Sequence, residues 1–423
     1  MNGSDTSPRA CDVLVIGGGP AGSTAATLLA RQGVSVIMLE KDPHPRFHIG
    51  ESLLPCNMAL LRDLGVLDKV RDIGVFKPGA EFVSDRGEGR LAFPFRHAIS
   101  PRDTHAYQVR RSEFDEILFR NAQAHGVETL EGLRVTEARF VPRQPTHVIA
   151  QDEPGQTHTF TPRFVLDASG RDGFLARRFH TRHADKNNST AAIFAHFRNV
   201  VRREADMEGY ISIHLVDDGW FWMIPLRDNI MSVGFVGDKN AFSGQTGPKT
   251  DLFWKKVAES PSVAERLAPA EQLGELTTTG NYSYCADKTW GEGYYMIGDA
   301  FAFLDPVFSS GVLLAMKSAY RGARVAQAWL RNPAEGRKVA RHEEQCTRAE
   351  MRRVAWLIYG INDPVQRELF LNPRNILRMR DAIISLLAGD FVGRLRVQVP
   401  LLAFRAVLQT MRWKWARKKQ ITN

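Results

Sequence analysis

Six consecutive residues, Gly17-Gly18-Gly19-Pro20-Ala21-Gly22, and two distant acids, Glu40 and Asp299, have the types and spacing to hold a dinucleotide. The six form a G-x-G-x-x-G. They follow an apolar run, "DVLVIG" (12–17), and lead into "AGSTAATLLARQG", which reads as a helix with small residues on one face and Gly33 at its end. Gly17 permits the tight turn, Gly19 lets a pyrophosphate approach the backbone, and Gly22 lets helix and strand pack closely. The helix N-terminus then turns unpaired N–H groups and a positive dipole end towards the phosphates. Glu40 closes the next apolar run, eighteen positions after Gly22 (40 − 22), where an acid binds ribose hydroxyls. "YYMIGDAFAFLDP" (294–306) ends another apolar run in Gly298-Asp299, an acid beside a close backbone approach. Asp299 also reads as a plain helix cap before Ala300.

A different pattern lies at "GWFWMIPL" (219–226). It places two of the chain's eight tryptophans, Trp220 and Trp222, close before a proline. Side chains on a strand alternate, so both indoles face one side. A strand of the core and a wall lining a cavity are both consistent with this.

The elements that must position these residues follow from periodicity. The strand at 12–17, the helix after it and "VSVIMLEK" (34–41) form one βαβ unit of ordinary size. Residues 56–74 read as helical, 80–97 as short strands around "DRGEGR", and 110–126 as a helix starting near Ser112. Strands dominate to about 170, and 190–240 alternates like a sheet. Residues 311–332 read as a long helix, and 333–423 as mostly helical and basic. The expected fold is α/β: a Rossmann-like dinucleotide-binding domain, an inserted mixed β-sheet substrate domain, and a helical C-terminal region. The expected division is a module over 1–335 and a helical basic region over 336–423. Within the module, about 1–79, 105–187 and 285–335 bind the dinucleotide, and about 80–104 and 188–284 form the substrate-side sheet.

The chain has 423 residues and a net charge of +9, much of it in the last quarter, which ends "MRWKWARKKQ" before its final residues. That favours acidic partners or an anionic surface. No recognition-helix, zinc-finger or RNP pattern accompanies the charge, which argues against nucleic acid. The N-terminus lacks a signal-peptide pattern, and no apolar run is long enough to span a membrane. Cys11, Cys56, Cys285 and Cys346 are scattered, as reduced thiols of a cytoplasmic protein would be, with no disulfide frame and no metal site. No second G-x-G-x-x-G in the right context follows residue 40, which argues against a dedicated NAD(P)H domain and leaves a pyridine nucleotide only transient binding.

Three motifs resemble those of FAD proteins and imply that the Rossmann-like domain is an FAD-binding domain of the glutathione-reductase type. Gly298-Asp299 resembles the Gly-Asp motif of glutathione-reductase-type proteins, whose aspartate contacts the ribityl chain and pyrophosphate. "RRSEFDEIL" (110–118) resembles the R-x-x-F-D-x-x-L helix start of single-component flavin monooxygenases, with Arg111 as the arginine, and "DASGRDG" (167–173) resembles their D-A-x-G strand end. Trp220, Trp222, Ile224 and Pro225 match W-x-W-x-I-P, the distinguishing motif of flavin-dependent halogenases. Lys77, in "FKPG", resembles that family's essential lysine, and "FLDPVFSSG" (303–311) matches its F-x-x-P-x-x-S-x-G. "GESLLP" (50–55) agrees but is shared with geranylgeranyl-reductase-like proteins. The match covers about 10–330, is nearer the smaller members acting on phenols or carrier-tethered pyrroles, and fades in the tail.

The resemblance implies FAD contacts from Gly17, Gly19, Ala21, Gly22, Glu40, Lys41, Arg111, Asp299, Pro306, Gly311 and Val312. It implies a halide held by Ser310 and Gly311, and a steric shield of Trp220, Trp222, Ile224 and Pro225. Lys77 would direct hypohalous acid, made from O2 and chloride or bromide by way of a flavin C4a-hydroperoxide, to an electron-rich ring. Implied partners are a separate flavin reductase supplying FADH2, and an aromatic small molecule or an acidic acyl or peptidyl carrier protein. The basic tail reads as a carrier-protein dock, a solvated helix face or a membrane-surface helix. Alternatives to halogenation are an FAD monooxygenase, a reductase of the same fold, and a non-catalytic flavoprotein.

Overall fold

The computed structural model describes residues 7–422 apart from 86–88, 100, 142–143, 186–189, 243–246, 281–282, 361–362, 372–374 and 393–394. The centre of "DRGEGR" and the expected 187/188 boundary lie outside the described residues.

The first sheet is built around strands Arg9–Ile16 and Thr157–Asp167, with Val36–Glu40 and Glu128–Glu131 beyond one side and Tyr294–Met296 and Trp290–Gly291 beyond the other. Its central pairings are parallel. Val13, Leu14 and Val15 are wholly buried, which is why a continuous apolar run suits this strand. Helix Pro20–Ala30 starts with proline in its first turn, where a missing N–H is harmless. Helix Gly311–Arg331 packs against it. Gly298 sits between them, where an added Cβ would press on Ala21 and Ala315.

The second sheet has seven strands in the order Glu271–Gly280, Thr190–Arg198, Ile230–Asp238, Gly219–Pro225, Ile211–Val216, Gly79–Ser84 and Gly89–Pro94. All neighbours are antiparallel except Ile211–Val216 with Gly79–Ser84. Its faces separate by period two. Phe221, Met223 and Phe235 pack with Phe253 and Val257 of helix Lys249–Ala258. Trp220, Trp222 and Ile224 face the other way, into a cluster shared with Phe82, Phe308 and the C-terminal helices. Those helices are Pro333–Gly360, Pro364–Leu371, Met379–Leu387 and Leu395–Thr422.

The mixed α/β fold is as expected, with differences in detail. Residues 56–74 form two helices, Pro55–Asp63 and Leu67–Ile73, parted at Gly65, whose φ of 74° ends the first. The 110–126 helix begins at Arg111. The strand before Gly298-Asp299 is only Tyr294–Met296, and Asp299 lies in a single 3-10 turn, Gly298–Ala300.

Candidate active site

The glycine turn borders a cleft of about 490 Å3. Gly17 has φ 102°, and a Cβ there would strike the Ala168 carbonyl; one on Gly22 would strike that of Gly17. A Cβ on Gly19 meets only the Arg46 guanidinium, at 3.5 Å, so any larger side chain would enter the cleft. Glu40 is buried and accepts hydrogen bonds from the N–H of Gly18 (2.8 Å) and Asp42 (3.1 Å) and from Arg46 (3.2 Å). Its carboxylate therefore braces the turn as well as facing the cleft. Lys41 pairs with Asp172 across the rim. The guanidinium of Arg111 grips Asp115 through two bonds of 2.7 and 2.8 Å and donates to the Ile49 carbonyl at 3.0 Å. Burial raises the Asp115 carboxyl, but the Arg111 charge and hydrogen bonds outweigh it and hold the group below the usual carboxylate range.

Asp299 also lines the cleft. Burial pushes its carboxyl up to about 6, against the pull of Arg111 and Arg171. Burial, then Arg111, pushes His48 down to about 4, so its ring is neutral at pH 7. Its Nδ1 lies 2.7 Å from the Ile49 carbonyl, so the proton sits there and Nε2 is an acceptor. A glycine cradle with room only for backbone, an acid at the second strand's end, and arginines along the wall together fit FAD.

A second cavity of about 110 Å3 adjoins the cleft. The two share His48, Arg111, Arg171, Asp299, Gly311 and Val312. Trp220, Trp222 and Ile224 line this second space, with Pro306 and Ser309. Pro225 does not; it is buried at the strand end, opposite Met231. The indoles are held firmly. Trp222 donates through Nε1 to Ser232 Oγ at 3.1 Å, and its ring lies 5.9 Å from Trp220 and 5.8 Å from Phe194. Gly234 lies opposite Trp222 on the neighbouring strand, and a Cβ there would overlap the indole.

Gly311 opens the long helix and borders both cavities. Ser309 before it has φ 55°, a left-handed conformation that makes the turn sharp. The first N–H groups of a helix have no partner within it, so this end can receive an anion. Ser310 is buried and lines a small void of about 30 Å3, with Asp299, Gly311 and Arg321.

Lys77 ends the short strand Val75–Lys77 and is 1 % exposed. Its ammonium donates to Ser52 Oγ and to the Leu53 carbonyl, both at 2.8 Å, and lies 5.3 Å from the Phe95 ring. None of these neighbours is an anion, and burial pushes its pKa down to about 7. It is not among the residues lining the two cavities, but Ser52 lines the second. Lys77 thus stands one hydroxyl behind the space walled by the tryptophans.

Sequence reasoning did not single out Arg46, His48, Arg171, Glu51, Ser52, His196, Ser232 or Gly234. Glu51 lines the second cavity, and its carboxylate lies 2.9 Å from His196 Nε2. A signal existed for two of these: "GES" carries Glu51 and Ser52, and a glycine inside a strand pattern, as at Gly234, marks a close approach.

The cleft and its cradle define a flavoprotein, and the FAD-binding-domain family model matches residues 10–356. Tryptophan 2-halogenase of Chondromyces crocatus is 33% identical over 84% of this chain and 69% of its own length. The 1H-pyrrole-2-carbonyl-[peptidyl-carrier protein] brominase of Pseudoalteromonas luteoviolacea is 31% identical over 90% of this chain and 92% of its own. The solved structure of the flavin-dependent brominase Bmp2 superposes with a TM-score of 0.85 at 27% identity, covering 97% of this chain and 100% of that one. The chain belongs to the flavin-dependent halogenases. It is an enzyme whose cofactor is FAD, with halide and O2 as co-substrates.

Proposed function

We propose that the enzyme places chloride or bromide on an electron-rich ring, a phenol or a pyrrole, free or tethered to an acidic carrier protein. The names of its relatives support an aromatic substrate, and that of the brominase supports a carrier-bound pyrrole. A separate reductase supplies FADH2. The division into a dinucleotide part, a substrate-side sheet and a helical region, with the boundaries given above, belongs to the same reading.

Bound FADH2 supplies, with O2 and halide, an oxidised halogen equivalent, hypohalous acid. The residues do the rest. Gly17, Gly19 and Gly22 let the pyrophosphate reach the helix end, and Ala21, Glu40, Lys41, Arg111 and Asp299 line its bed. Pro306, Gly311 and Val312 border the space where the cleft meets the second cavity. The N–H groups of Ser310 and Gly311 orient a halide. Trp220, Trp222 and Ile224, with Pro225 fixing the strand end, leave room for a small anion and exclude a ring. Lys77 receives the halogen equivalent on the far side of Ser52. With a pKa near 7 both its forms are populated. The ammonium can donate a hydrogen bond to hypohalous acid. The neutral amine can instead take the halogen as an N-halo group and release water. Substitution on the ring then expels a proton.

The observation that carries this reading is the continuity of cleft, tryptophan-walled cavity and Ser52–Lys77 pair. The test is Lys77→Ala, given FADH2, O2, halide and candidate phenols or pyrroles. The expected result is full FAD binding with halogenated product lost; undiminished halogenation removes the lysine from the chemistry. An oxygenated product formed without halide, or flavin reduced by NAD(P)H alone, favours the monooxygenase or reductase reading.

A further inference from the structure

The C-terminal helix Leu395–Thr422 contains seven Lys or Arg and no Asp or Glu. It also has two apolar faces. At about 100° per residue, Val397, Phe404 and Leu408 fall on one side. They are at most 3 % exposed and anchor the helix to the protein. On the opposite side, Leu395, Val399, Leu402 and Trp413 fall within about 60° of one another. They are between 54 and 77 % exposed. This outer face is apolar from 395 to 402, passes Ala406, Gln409 and Thr410, and reaches Trp413 about 27 Å along, taking 1.5 Å per residue from 395. Arg396 and Lys414 flank it on one side and Arg405 on the other. Arg417 stacks over the Trp413 ring at 3.7 Å. The turn Ile376–Arg378 touches the same helix and exposes Ile376 and Leu377.

Scattered exposed aliphatic side chains are ordinary, but three on one helix face, with a tryptophan further along and cations on both borders, are not. The row is one side chain wide and lies on a convex helix, so it offers no groove for a peptide. Its aliphatic centre, tryptophan end and cationic borders are the features by which a helix lies in the interface of an anionic bilayer. Among the described residues no helix is long and apolar enough to cross a membrane, so contact would be from the surface.

We infer that the outer face of the Leu395–Thr422 helix docks on an anionic lipid surface, with Leu395, Val399, Leu402 and Trp413 entering the headgroup boundary. The helix is carried by Met379–Leu387, whose Ile383 and Leu387 belong to the core cluster of Trp220 and Trp222. Docking therefore brings the helical roof of the site to the bilayer, where an amphiphilic aromatic would be concentrated.

The test is co-sedimentation of the full FAD-loaded chain with phosphatidylcholine vesicles, with and without phosphatidylglycerol, at low and high salt. The expected result is binding to the anionic vesicles alone, weakened by salt. Replacing Arg396, Arg405 and Lys414 together by Gln should lower partition by about a hundredfold. Replacing Leu395, Val399 and Leu402 together by Ser should abolish it. Retained FAD absorbance shows that each variant is folded; if either loses it, Leu402→Ser alone and the wild-type salt titration decide. No binding of the wild type to anionic vesicles overturns the inference, as does binding that both variants leave unchanged. Capture of an acidic carrier protein without vesicle binding, or a dimer that the Ser substitutions dissociate, assigns the face to a protein and overturns it too. Halogenation is not the readout, so the result stands apart from the proposed chemistry.

Discussion

The dinucleotide cleft and the cavity behind it meet along shared residues yet are built on opposite principles. In the cleft, charge is abundant and answered: Arg111 by Asp115, Arg46 by Glu40 and Asp115, Lys41 by Asp172. Position there is set by backbone, through Gly17 and Gly22, where an added Cβ would strike a carbonyl. Behind it, Trp220, Trp222 and Ile224 wall one side of a cavity that also keeps Glu51 and shares Arg111, Arg171 and Asp299 with the cleft, and Lys77 is buried beyond Ser52, its ammonium donating to two neutral oxygens. The first region holds a polyanion by complementarity. The second keeps an ammonium where its charge is poorly supported, which is how a lysine becomes reactive near neutrality.

That contrast can be broken in order of expected effect. Gly19→Leu should leave the fold intact, because only Arg46 stands near, and should weaken FAD binding by about a hundredfold or more, read as lost flavin absorbance. Lys77→Met should do the reverse: FAD binding is kept while halogenation falls by about 10²–10⁴-fold, read as product per turnover by mass spectrometry. An equal loss of both would mean the two regions are one.

The same variant sharpens the comparison through stability. The Lys77 pKa falls from 10.5 unfolded to about 7 folded. Between those values the unfolded chain binds the extra proton, so wild-type stability rises with pH across that window, and the full penalty of the buried charge is present below 7. The stability advantage of Lys77→Met over wild type should therefore be largest at pH 7 and below, and shrink towards pH 10 by up to about 1.4 kcal/mol per pH unit, measured by denaturant unfolding. A gap independent of pH would mean the lysine is solvated. Gly234→Ala should displace the Trp222 indole and destabilise by about 1–3 kcal/mol, with a loss of halogenation that FAD titration does not share. Trp222→Phe should have the smallest effect, about 1 kcal/mol for the lost bond to Ser232, read from the denaturation midpoint.

How much of this was legible differs between the regions for the same physical reason. A glycine turn between a strand and a helix is a local matter, so Gly17, Gly19, Gly22 and Glu40 could be placed from spacing. The one-sidedness of Trp220 and Trp222 was legible too, because alternation is a property of any strand. The setting of Lys77 was not. In the Val75–Lys77 strand, Phe76 is 54 % exposed, stacked on His105, while Lys77 points inward, the inverse of what hydrophobicity predicts. That inversion comes from pairing with Ala106–Gln108 and from the Ser52–Gln108 bridge, contacts far apart in sequence. The brace of Glu40 on Gly18 and the meeting of Glu51 with His196 are equally non-local.

The strand bearing the two indoles is hydrogen-bonded along both edges, to Ile211–Val216 and to Ile230–Asp238. A panel mounted so has no hinge, and its thickness cannot be tuned by sliding one residue past another. Reshaping the space it walls should therefore begin with lining residues outside the sheet, at Ile49 and Ser309, which loops carry.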